Sequence, residues 1–257
     1  MTRPVGHRVV ACLIVGLTMV GCSSSAGKAA ISSPGTTITV QSPGFASPEA
    51  AIKDFVDRLK GAELGRSLGD FAIEENLAGY DGKASEAYLQ TLVAFSARMP
   101  GADDGSLQVN RWMIQGQAAN QVFRLISSLL APEVDLDQPT VDPDGSVYNT
   151  WASEMKPGRL TSLSITDPVA VPGPAVAAKP EYTKINDTQT KIYGADQLVD
   201  RVWLYEFDGK SYIGGAQLVH FPNGWKILRL GSAYGNTSSS GAVKPGSQAD
   251  IDAMLTG

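Results

Sequence analysis

Cysteine and histidine are almost missing from this chain. The 257 residues contain only Cys12 and Cys22, His7 and His220. A framework of several disulfides and a zinc site built from thiolates and imidazoles have little material here. Charge of one sign is also scarce: the formal net charge is −5 and no block of lysines and arginines occurs. The electrostatic footprint of a DNA- or RNA-binding surface is therefore absent, and no nucleic acid partner is expected. No internal repeat is visible. The apolar run at residues 9–21 is 13 residues long, short of the roughly 20 needed to cross a bilayer core. What the chain does have is 43% hydrophobic and 18% charged residues, enough to bury the core of one globular domain.

That short apolar run follows a basic head of Arg3, His7 and Arg8 and stops at Gly21-Cys22, where a serine run begins. Basic head, apolar centre and small residue at the end are the parts of a secretory signal. Met19-Val20-Gly21-Cys22 resembles the lipobox of bacterial lipoproteins. The resemblance implies a diacylglycerol on the Cys22 sulfur, cleavage before Cys22, and an outward-facing, lipid-anchored protein of the bacterial cell membrane. Residues 1–21 are then a lipoprotein signal peptide, and no thiol stays free in the mature chain. Residues 22–46 are rich in Ser, Gly, Ala, Thr and Pro with a single charge, Lys28. Such a segment cannot bury enough surface to order itself and reads as a flexible tether with a reach of about 25 to 30 Å.

An α+β domain is expected over residues 47–234. Ser47-Pro48-Glu49 has the residue types of a helix start, and Ile52, Phe55, Val56 and Leu59 recur at helical spacing up to Lys60-Gly61. A second helix carries Leu64, Leu68, Phe71 and Ala72, a third covers residues 84–99, and a fourth runs over 106–130, amphipathic and too polar to span a membrane. Residues 131–158 read as an irregular acidic connection. Strands are expected over 160–231: an alternating segment at Thr161, Leu163 and Ile165, a long Pro/Ala/Val-rich connection over 168–180, then an antiparallel meander. Its strands cover 201–207, 211–221 and 225–230, joined by turns at Asp208-Gly209-Lys210 and Pro222-Asn223-Gly224. Gly214-Gly215 suggests a bulge in the middle strand. Residues 235–257 read as a loose tail with at best a short helix around Ala249 to Leu255.

Helices first and a curved meander last give an α+β order, with helices packed on a curved antiparallel sheet. SPEAAIKDFVDRLKGAELGRSLGDFA at residues 47–72 is similar to the opening helices of the nuclear-transport-factor-2-like, or cystatin-like, cone. WLYEFDGKSYIGGAQLVHFPNGWKILRL at 203–230 is similar to its closing strands. Phe71-Ala72-Ile73-Glu74, Tyr193-Gly194-Ala195-Asp196 and Asn223-Gly224-Trp225-Lys226-Ile227 resemble stretches of uncharacterised bacterial lipoproteins of this type, although Gln197 stands where an acid is expected. The resemblance implies a cystatin-like cone with an extended helical part, and no settled activity.

Chemical motifs are mostly eliminated on spacing. Gly209-Lys210-Ser211 imitates a phosphate loop, but Leu204 occupies the position of the required first glycine. Ser153-Glu154-Met155-Lys156 has the serine-x-x-lysine spacing without the companion motifs. Asp135, Asp137, Asp142 and Asp144 fail as a calcium loop, since Thr140 and Trp151 fall on ligand positions. His220 alone makes neither a triad nor a metal centre. No catalytic, cofactor or metal residue is therefore assigned. Phe71, Trp203, Tyr205, Phe207 and Trp225 are the candidate pocket lining, with plain core as the alternative.

Two functional classes follow. The favoured one is a non-catalytic envelope module that binds a small apolar ligand or another envelope protein, held to the membrane through the lipid on Cys22. The other is a pocket enzyme of isomerase or dehydratase type, with Asp70, Glu74 or Tyr80 recruited around a carboxylate base. Replacing Cys22 with alanine is expected to abolish incorporation of radiolabelled palmitate and to move the protein out of the detergent phase. Continued labelling of the variant would refute the anchor.

Overall fold

The computed structural model describes residues 44–63, 68–73, 104–134, 144–156, 158–238 and 240–256. All of them lie in one compact unit, residues 40–257. Cys22, Glu74, Tyr80 and the expected helix at 84–99 lie outside the described residues.

The first helix, α1 (Pro48–Lys60), forms as its sequence dictates. The Ser47 side chain accepts a hydrogen bond from the Ala50 amide at 3.1 Å, Pro48 opens the first turn, and Glu49 faces the helix N-terminus. One stripe of α1, formed by Ile52, Phe55, Val56 and Leu59, is buried. The second expected helix is reduced, among the described residues, to a 3-10 turn at Leu68–Asp70. Beyond it Phe71 bridges Ile227, and the Ala72 amide donates to the Ile227 carbonyl at 2.7 Å. Strand pairing at 71–72 competes with helix there.

The long helix α2 (Asp104–Leu130) follows. Among the described residues no helix is long and apolar enough to cross a membrane. The connection after α2 is less irregular than expected, because it carries the nine-residue helix α3 (Ser146–Glu154). Asp144 accepts the Ser146 amide at 3.1 Å and Gly145 takes a left-handed φ of 72°, so the acidic loop ends as a helix start.

The sheet is antiparallel and curled around the helices. β1 (Ser164–Ile165) and β2 (Val169–Val171) pair with one side of β3 (Gln197–Phe207), whose other side pairs with β4 (Lys210–Phe221). β4 then pairs with β5 (Gly224–Leu230) and with the short β6 (Lys244–Pro245). The meander and both of its turns are where alternation and turn chemistry placed them; Asp208 and Gly209 have the positive φ values of 49° and 70° that suit a tight hairpin. The expected bulge moves: the register shift between β4 and β5 falls at Gln217/Leu218. Gly214 is needed for close approach, since a Cβ there would strike the Tyr205 ring.

Side-chain alternation along β3 sends residues to two cores. Trp203, Tyr205 and Phe207 face the helices and pack with Phe55, Leu59, Val122, Leu125, Leu218 and Ile227. Val202 and Leu204 face the other way and pack with Val171, Ile213 and Ile251. Two elements cover this outer side: α5 (Pro180–Ile192), preceded by the single turn α4 (Pro174–Ala177), and α6 (Gln248–Thr256), where a short helix was expected. The C-terminal tail is thus packed rather than loose. Ile251 is fully buried, and Gly173 leaves no room for a Cβ against the Leu255 carbonyl.

Ile251→Ala is expected to lower unfolding stability by about 2 to 4 kcal/mol, measured by urea titration, as for other buried isoleucines. A loss below about 0.5 kcal/mol would place the tail outside the cooperative unit.

Candidate functional site

A groove of about 380 Å³ opens beside the helical layer. Its floor is the solvent-facing rim of the main core, Leu59 from α1, Val122, Ile126 and Leu130 from α2, and Leu160; Leu68 and Ala62 close one wall. Ala119, Phe123, Met155, Lys156 and Gly158 complete it. Volume and apolar lining match a small-molecule pocket.

The rim is held by specific contacts. Trp151 on α3 donates its ring N–H to the buried Ser127 hydroxyl at 2.8 Å and meets the Phe123 ring edge-on at 5.4 Å. These contacts dock α3 on α2. The chain then leaves α3 at Met155 and turns back through Gly158, whose φ of 82° is one that glycine adopts without strain. Arg159 pairs with Glu154 and, at 3.5 Å, with Asp208 in the β3–β4 turn, so the rim is tied to the sheet. At the far end of α2 the Gln121 side chain accepts the Leu230 amide at 2.9 Å.

The cone interior is filled. Phe71, Trp203, Tyr205, Phe207 and Trp225 belong to the main core cluster, and none of them lines the groove. Trp203 and Tyr205 pack edge to face at 5.5 Å, and Phe55 meets Phe71 the same way at 5.9 Å. The void beside Tyr205, Gly214 and Gly215 holds about 10 Å³, the space of at most one water. The expectation that these aromatics line a pocket therefore gives way to core packing: α1 and α2 present enough large apolar side chains to occupy the concave face.

Asp70 has a property wanted of a general base without the surroundings of one. It is 1% exposed, neither carboxylate oxygen has a hydrogen-bond partner, and burial pushes its pKa up to about 7, partly offset by Arg58. The Arg58 Nε stands 3.4 Å away but is committed to Asp54 at 2.5 Å; Lys226 donates to the Gly69 carbonyl at 3.2 Å. Asp70 lines no described cavity. On the outer face Asp200 is buried beneath α5; burial raises its pKa against hydrogen bonds from Ser232 and Gln217. Gln217 in turn accepts from Arg229 at 2.6 Å. This closed network satisfies its members and leaves no open position. His220 is a half-buried residue of β4 facing Asp196 at 3.3 Å, beside the Trp225 ring at 5.1 Å. Ser153 donates to the Thr150 carbonyl at 2.7 Å, as an ordinary helix-end serine.

The groove itself was hidden in the sequence because its floor residues read as plain core at helical spacing. The signal that could have pointed to it is Phe123, which sits on the polar flank of α2 and is 40% exposed.

No family model matches the chain, and no curated protein matches it. Among solved structures it is similar to a cystatin-like protein from Ruminococcus gnavus ATCC 29149, at 16% sequence identity and a TM-score of 0.50. The likeness covers 83% of this chain and 44% of that one, so the chain spans less than half the length of its structural neighbour. The helices and curled antiparallel sheet thus form a cystatin-like α+β cone.

Because the folded pKa of Asp70 lies above the ordinary 3.8, the folded protein holds a proton that the unfolded chain releases between pH 4 and 7. The stability this proton brings is complete below about pH 4 and is lost as pH rises through 7. Denaturant midpoints are expected to fall between pH 4 and 7, and Asp70→Asn to flatten that dependence. An equally steep decline in the variant would show that other groups cause it.

Proposed function

We propose that this protein is an extracytoplasmic lipoprotein, anchored through Cys22, that works as a non-catalytic binding module for a small apolar ligand. The observation that carries the reading is the groove between α1, α2 and the 155–160 turn, apolar over nearly all its lining and about 380 Å³ in volume. The signal-like N-terminus and the Ser/Gly-rich residues 23–46 support the anchor. A filled cone and a buried Asp70 that opens onto no described cavity weigh against the pocket-enzyme alternative.

A second reading, docking of another envelope protein, draws on one observation. Trp112 is 64% exposed and Met113 45%, and Trp112 lies three helical turns before Phe123 on the same stripe of α2. Exposed aromatic and methionine side chains clustered on one helix face mark interaction surfaces.

The neutral fluorophore 1-N-phenylnaphthylamine tests the ligand reading. Saturable fluorescence enhancement is expected, and Ala119→Trp, which fills the groove from an exposed position, should weaken it at least about tenfold, the effect of about 1.4 kcal/mol. Undiminished binding by the variant would place the ligand elsewhere.

A further inference from the structure

Of the described residues that line the groove, Lys156 alone carries a charge. It sits exposed on the rim, two residues beyond the end of α3. Two carboxylates of the same rim, Glu154 and Asp208, both pair with Arg159. Among the described residues no carboxylate pairs with the Lys156 ammonium. An apolar trough with an exposed cation at its edge is the complement of an amphiphile with an anionic head.

The shape points the same way. The lining residues of α2 run from Ala119 to Leu130, a rise of roughly 16 Å along the helix axis at 1.5 Å per residue. A groove of about 380 Å³ drawn out over that length has the size of a small-molecule site and the elongated form that an extended hydrocarbon chain fills. Met155, an unbranched side chain on the wall, adapts readily to a flexible chain.

We infer that the groove takes a single-chain anionic amphiphile, a free long-chain carboxylate, with its chain on Leu59, Val122, Ile126 and Leu130 and its head against Lys156. This rests on the binding-module reading above and names the ligand class of that groove.

The test compares cis-parinaric acid with its methyl ester by fluorescence titration at pH 8 and low salt. It uses the full chain carrying Cys22→Ala, with and without Lys156→Glu. The acid is expected to bind about two- to fivefold tighter than the ester, the effect of an exposed ion pair. Lys156→Glu should erase or reverse that preference while ester affinity and melting temperature hold. Competing saturated acids should gain about fourfold in affinity per added methylene until the groove is full. Equal binding of acid and ester, or a preference untouched by Lys156→Glu, overturns the carboxylate assignment and leaves a groove for neutral ligands. Absence of binding by both probes and by 1-N-phenylnaphthylamine overturns the binding-module reading itself.

Discussion

The structure turns on the packing of α1 against the inner face of the curled sheet, most closely at β5. Ile52, Phe55 and Leu59 share one core with Trp203, Tyr205 and Phe207 of β3 and Ile227 of β5, all essentially excluded from solvent. Three aromatics at alternate positions present a continuous apolar surface, and a helix with the matching stripe is the element that can cover it. Each such side chain contributes about 1.5 to 3 kcal/mol on burial, so this layer dominates the stability of the unit. It also spends the concave side of the cone on packing. Ligand binding, if it is to use apolar surface, has to use what the core leaves at its rim.

The rim is available because α2 is longer than the contact it makes. Val122, Leu125, Ile126 and Leu129 pack inward, while Ala119 and Phe123 stand one step around the helix and look onto the groove. A second, polar set of contacts then places the rim: the Trp151–Ser127 hydrogen bond and the two ion pairs of Arg159 tie the 155–160 turn to α2 and to the β3–β4 turn, and residues 159–162 approach α1 directly. Ion pairs that occupy Glu154 and Asp208 leave Lys156 as the rim's electrostatic feature. Fold and site are thus linked by one chain of contacts, from core stripe to docked helix to charged rim.

Much of this was legible from residues alone, where local chemistry and tertiary need agree. Ser47-Pro48-Glu49 specified the start of α1, and the alternation around Asp208-Gly209 and Asn223-Gly224 specified the meander. Other parts were hidden for physical reasons. α5 buries little beyond Ile192 and reads as polar throughout, since it covers the sheet with side-chain stems and hydrogen bonds such as that from Asn186 to the Leu198 carbonyl at 3.2 Å. The short helix around 249–255 was legible as α6, but its docking on the sheet through Ile251, with Met254 and Leu255 beside it, was not. The paired glycines of β4 indicated a bulge, yet they serve the approach of Tyr205 and Thr237, and the irregularity lies further on. The groove was illegible because position on a helical stripe says that a residue is apolar-facing and not whether its partner side is complete.

The account stands on a separation between a filled cone and an open rim. Methyl NMR on leucine- and valine-labelled protein, titrated with parinarate, tests it most directly. Shifts confined to Leu59, Leu68, Val122, Leu130 and Leu160 are the expected result, with Leu204, Leu218 and Val219 unmoved. Shifts centred on Leu218 and Leu230, beneath the aromatic face, would mean that the cone itself opens to ligand and would contradict the account.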